Sequence, residues 1–84
     1  MSWFVYILRC ADDTLYTGIT TDCDRRVAQH NTGKGAKYTR NRIPVTLIYN
    51  EPSDTRSSAS VREYQIKRLT RRQKLALIAE QKKT

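Results

Sequence analysis

With 84 residues the chain has room for one hydrophobic core, so residues 1–84 are expected to fold as a single domain. Sixteen lysines and arginines against eight acids leave a net charge of +8, which favours a polyanionic partner, nucleic acid first, although a solvated basic surface accounts for the charge equally well. The two cysteines, Cys10 and Cys23, sit in neither a CxxC nor a Cys/His cluster, the one histidine rules out a two-histidine metal site, and the first apolar run is too short for a signal segment or a membrane span. A reduced, cytoplasmic protein with no membrane association is expected.

In chain order, residues 4–8 and 15–19 read as two short strands joined through Ala11, Asp12 and Asp13. If Tyr6 stands opposite Gly18, Tyr16 falls opposite Leu8, and the period of two places both phenols on one sheet face. That register needs an odd loop, such as these three residues, because a slip of one would send the tyrosines to opposite faces. Gly18 then leaves an empty space beside Tyr6.

Thr21 and Asp22 offer a cap for a helix over residues 23–31, which Gly33 stops. Residues 32–42 hold two glycines and four cations without a clear period and read as a surface loop closed by Pro44. Residues 45–49 suit a third strand covered on both faces and ended by Glu51 and Pro52. Asp54 caps a helix running to about Leu69, Thr70 caps a last one over residues 71–81, and Lys82 to Thr84 are expected to fray. The order strand, strand, helix, strand, helix, helix is an α+β pattern with a small sheet covered by helices.

A rotation of roughly 100° per residue selects the polar side chains that face inward. In the first helix Cys23 and Val27 mark the apolar side, Arg26 and His30 lie within or beside it, and Arg25 points away. Arg26 is then either a packed stem with a solvated head or a functional cation, and His30 either a satisfied structural residue or a catalyst. In the second helix Ala59, Ile66 and Leu69 face the sheet with Glu63 at the edge, so its carboxylate needs a cation: Arg26, Arg62 or a metal. The opposite side, with Val61, Tyr64 and Arg68, is expected to pack on the C-terminal helix. The loop interleaves Gly33 and Gly35 with Lys34, Lys37, Tyr38 and Arg40, a mix suited to a phosphodiester backbone through amides, charge and one stacking ring.

Taken together, Val5-Tyr6-Ile7, Tyr16-Thr17-Gly18, the run from Arg26 to Asn31, and Arg62-Glu63 resemble the GIY-YIG nuclease domain superfamily in order and spacing. Gly35 to Arg40 and Ile66 to Leu69 look most like its small stand-alone members, an uncharacterised single-domain family. The resemblance implies a three-stranded antiparallel sheet flanked by helices and phosphodiester hydrolysis assisted by one divalent cation, Mg2+ or Mn2+. Tyr6 and Tyr16 match the motif tyrosines, Gly18 the motif glycine, Arg26 the helix arginine, and Glu63 the metal-binding glutamate. His30 matches a position held by histidine or tyrosine in similar proteins. Phe4 stands where the first motif has glycine and Thr17 where the second has isoleucine, neither a position that supplies reacting groups.

On this reading Glu63 binds the metal, Arg26 pairs with a phosphate oxygen, and Tyr6 acts as base or water-positioning group, oriented by Tyr16 and His30. Gly18, Lys34, Lys37, Tyr38 and Arg40 bind the substrate, with DNA expected ahead of RNA. No appended nucleic-acid-binding domain is expected, so a protein partner could supply specificity. The rival reading is a module that binds nucleic acid without cutting it. A third is a protein-interaction scaffold using Trp3, Tyr49 or the last helix.

Overall fold

A computed structural model describes residues 2–81; the expected fraying of Lys82 to Thr84 falls outside them. Strand β1 (Trp3–Arg9) is followed by β2 (Leu15–Thr20), helix α1 (Cys23–Asn31), β3 (Thr46–Ser53), α2 (Arg56–Lys67) and α3 (Arg71–Gln81). The fold is the expected α+β arrangement, a three-stranded antiparallel sheet in the order β2-β1-β3 with helices on both faces.

The hairpin has the register its tyrosines require: Tyr6 pairs with Gly18 and Leu8 with Tyr16. Ala11 to Asp13 close it, the Cys10 amide bonding to the Thr14 carbonyl at 2.8 Å, with Asp13 in the left-handed region at φ 68°. Residues of β1 alternate between two cores. Val5 and Ile7 join Tyr49, Ala59, Ile66 and Ile78 under α2 and α3, while Tyr6 and Leu8 join Cys10 and Val45 with Val27 and Cys23 of α1.

Strand β3 departs from expectation in two ways. It runs on through Glu51 and Pro52 to Ser53, with Phe4 facing Pro52, because β3 is an edge strand where a missing amide costs no ladder bond. Its alternation is also broken: Ile7 pairs with Tyr49 but Leu8 with Leu47, so Ile48 is an extra residue. Tyr49 therefore packs under α2 while Leu47, two positions earlier, packs on the other face.

The helices end as capping chemistry dictates. Asp22 accepts from the Arg25 amide, and at the other end of α1 Gly33, at φ 79°, and Lys34 bond back to the His30 and Gln29 carbonyls. Helix α2 is capped by Thr55 rather than Asp54, in a reciprocal box with Ser58, and α3 by Thr70 with Gln73. The expected packing of Val61 and Tyr64 against α3 does not occur. Both are more than half exposed, at 58% and 57%, because α3 lies along β3 and buries Ile78 there. Tyr64 instead accepts a hydrogen bond from Arg68 one turn on.

Candidate active site

Four chain segments meet on the α1 face of the sheet. Tyr6 projects from the central strand across Gly18, where a Cβ would stand 2.6 Å from the phenol oxygen, so only glycine leaves room for the ring. Tyr6 Oη lies 2.9 Å from His30 Nε2, and both groups are buried. His30 Nδ1 lies 2.7 Å from the Thr39 hydroxyl, which donates its one proton to the Ala36 carbonyl at 3.0 Å. With the Thr39 proton assigned to Ala36, His30 Nδ1–H donates to Thr39 and Nε2 accepts the Tyr6 proton. Gly35 makes this possible, since a Cβ there would collide with His30, 2.8 Å from its Cα.

Tyr16 completes an aromatic cluster, its ring centroid 6.3 Å from Tyr6, 5.3 Å from His30 and 6.0 Å from Tyr38. Tyr38 lies at 23° to Tyr16, 41% exposed, with the Arg42 guanidinium 4.1 Å over its ring. Arg42 also pairs with Asp12 at 3.0 Å and bonds the Tyr38 carbonyl, tying the loop to the hairpin turn. Asn31 bonds both the amide and the carbonyl of Val45. The 32–42 segment is thus a fixed element of the site, while Lys34, Lys37 and Arg40 project from it into solvent.

Arg26 is half-buried beside this cluster and donates to Gln29 at 3.1 Å; Arg25 is exposed. Its charge reaches both reacting candidates. Burial pushes the Tyr6 hydroxyl up to about 12 against the pull of Arg26, and burial followed by the Arg26 charge holds His30 down to about 4. Both groups are accordingly neutral at pH 7.

Glu63 comes from the opposite layer. It lies one turn from the buried Ala59 and Ile66 on α2, with its side chain 24% exposed, and pairs with Lys67 at 3.5 Å. Arg62, a partner the sequence offered it, binds Glu51 at 3.0 Å instead. Lys67 in turn borders a groove along β2 together with Tyr16, Tyr38 and Lys74, so Glu63 stands one ion pair from the surface that Tyr16 shares. Among the described residues no group of three or more His, Cys, Asp or Glu side chains gathers at one point. A single part-exposed carboxylate fits a hard cation that keeps most of its waters and takes further oxygens from a substrate.

Thr39 and Gln29 are partners in the site beyond the expected residues. The signal for Thr39 was Gly35 four residues before it, a small residue where the loop must close on His30.

A phenol, an imidazole and a guanidinium thus share one face of a β-β-α-β sheet, with a carboxylate on the next helix, in the fold of a nuclease-type family. The chain belongs to the GIY-YIG catalytic domain family, whose pattern matches residues 2–76. It is 54% identical to a UPF0213 protein of Natronomonas pharaonis over 78 residues, 93% of this chain and 92% of that one, and 53% identical to one of Staphylococcus haemolyticus, covering 92% and 94%. Solution NMR structures of a UPF0213 protein from Bacillus halodurans and of a protein from E. faecalis share the fold. The first is 47% identical at a TM-score of 0.60, covering 94% of this chain and 84% of that one; the second is 39% identical at 0.63, covering 96% and 88%. Nucleases of this family generally use a divalent metal. No helix among the described residues is long and apolar enough to cross a membrane.

Proposed function

We propose that this chain is a metal-dependent endonuclease domain that hydrolyses phosphodiester bonds, with DNA the substrate ahead of RNA. The observation that carries this reading is the buried hydrogen-bond chain from Tyr6 through His30 to Thr39, with an arginine beside it. A buried neutral imidazole aimed at a phenol is a proton relay waiting for a donor.

A water attacking phosphorus donates to Tyr6 Oη while Tyr6 passes its own proton to His30 Nε2. The phenolate need not form free, which its raised pKa would oppose. The low proton affinity of His30 has two causes, burial and the charge of Arg26. A phosphate paired with the Arg26 fork offsets that charge, so the imidazole becomes a better base when substrate arrives. Arg26 then also favours the negative charge that grows in the transition state. Glu63 would hold Mg2+ or Mn2+, which supplies charge neutralisation at the phosphate and the leaving oxygen when bound. Gly18 gives Tyr6 its position, Tyr16 walls the relay, and Lys34, Lys37, Tyr38 and Arg40 receive the flanking strand.

One observation favours the binding-only reading: the Glu63 carboxylate is already held by Lys67. A protein partner that supplies specificity is compatible with either. Two free cysteines suit a cytoplasmic protein. The deciding experiment is a nicking assay in Mg2+ and in Mn2+ on duplex, branched and single-stranded DNA and on RNA. Tyr6→Phe, Arg26→Ala and Glu63→Ala are each expected to lower the rate at least 100-fold, and equal rates in wild type and all three variants reject the assignment.

A further inference from the structure

The groove along β2 is lined by Leu15, Tyr16, Thr17, Tyr38, Lys67 and Lys74, with a volume of about 280 Å³. We infer that it holds one unpaired nucleotide of the bound strand, so that the substrate is single-stranded at the site of action. The inference rests on the nucleic-acid reading above and narrows it to a substrate class.

Size comes first. At about 280 Å³ the open groove matches the smallest ligand clefts, roughly 300 Å³, a size suited to one nucleotide unit rather than to a base pair with both its strands. Chemistry agrees with size. Along one wall stand two phenol rings, Tyr16 and the 41% exposed Tyr38, and Leu15 adds apolar surface; the Arg42 guanidinium covers one face of Tyr38, so a base stacks there by displacing Arg42 or lies against the ring edges. Lysines from two different helices line the same groove, Lys67 held by Glu63 and Lys74 without a carboxylate partner among the described residues. Rings for a base and ammonium groups for a phosphate are what a single nucleotide needs, and a base inside a duplex has no free face to offer the rings.

Topology supplies the third component. β2 is an edge strand, so alternate residues turn their amide and carbonyl outward along the groove, available to the edge of an unpaired base. Tyr16 belongs to this wall and to the Tyr6–His30 cluster at once, which sets the groove one residue's width from the proposed relay. The chain of a nucleotide seated here runs on from Tyr16 toward the Tyr6–His30 cluster, and its own phosphate competes with Glu63 for Lys67.

The test is binding in a chelator, where no cleavage complicates it, of a short oligodeoxynucleotide carrying 2-aminopurine, alone and annealed to its complement. The single strand is expected to bind about tenfold more tightly than the duplex, with a change in 2-aminopurine emission on binding. Tyr38→Ala should weaken single-strand binding about tenfold with an unchanged salt slope, while Tyr38→Phe should bind as wild type. Lys74→Ala should instead flatten the slope by about 0.7. Equal affinity for single strand and duplex together with no effect of Tyr38→Ala would overturn the inference, even if the nicking assay finds activity. Selective single-strand binding that needs Tyr38 would uphold it, even if no cleavage is found in any metal.

Discussion

The Thr39 hydroxyl has a single proton, and giving it to the Ala36 carbonyl fixes the direction of every bond behind it. Thr39→Val keeps the shape but leaves His30 Nδ1–H buried without an acceptor, at a cost of about 1–3 kcal/mol. The urea midpoint should fall accordingly, and nitrogen NMR of the imidazole should change from one tautomer to a mixture, with Thr39→Ser restoring both. An Nε2–H tautomer in the wild type would reverse the relay and remove its rationale. The same site gives stability a pH signature. His30 is held at about 4 in the fold against 6.5 when free, so the unfolded chain binds more protons between those values. Its contribution is complete above pH 6.5 and is lost as pH falls toward 4, by about 3 kcal/mol at most. Tyr6, raised from 10.0 to about 12, acts at the other end, its contribution complete below pH 10 and lost on the way up to 12. Denaturation curves from pH 4 to 7 should show the acid limb, and His30→Asn should flatten it.

At the scale of elements, the sheet gives Tyr6 its place through one glycine. Gly18→Ala would put a methyl 2.6 Å from the phenol oxygen of a side chain with no free direction, so it should cost about 1–3 kcal/mol and shift the His30 ring resonances as the Tyr6 bond breaks. Helix α2 carries the other half of the proposed chemistry. Mn2+ titration should broaden amide signals around Glu63, and Glu63→Gln should abolish the effect; broadening centred on the Asp22 and Asp24 end of α1 would move the metal elsewhere. The hairpin was legible in the sequence because period and loop parity together permit one register for two tyrosines. The inward side of α1 and the capping glycine at 33 were legible for the same local reason. What could not be read depends on neighbours remote in the chain. Pro52 stays in a strand only because β3 is an edge, the bulge at Ile48 exists only against β1, and Tyr64 is exposed only because α3 leans on β3. Thr39 escaped because an aperiodic loop gives no face to count, and its burial needs His30 and Gly35 both in place.

Across the whole molecule, the proposed chemistry is divided between the two faces of one thin sheet. Tyr6, Tyr16 and His30 lie toward α1, Glu63 lies on α2, and the β2 edge with its groove runs between them. A strand that reaches all of them has to cross that edge, where Lys67 and Lys74 meet it, and the exposed Lys34, Lys37 and Arg40 extend the basic track along the loop. On the proposed function the net charge of +8 serves as a binding track rather than as a solubilising shell, and salt distinguishes the two. About six phosphate contacts, through Arg26, Lys34, Lys37, Arg40, Lys67 and Lys74, give a log affinity against log salt slope near −4 for a single strand. Replacing Lys34, Lys37 and Arg40 together by alanine removes three exposed cations without touching the core, so the fold should persist while the slope flattens by about 2. A slope unchanged in that triple variant would mean that the loop's cations only face water, and that any strand is held by the β2 groove and Arg26 alone.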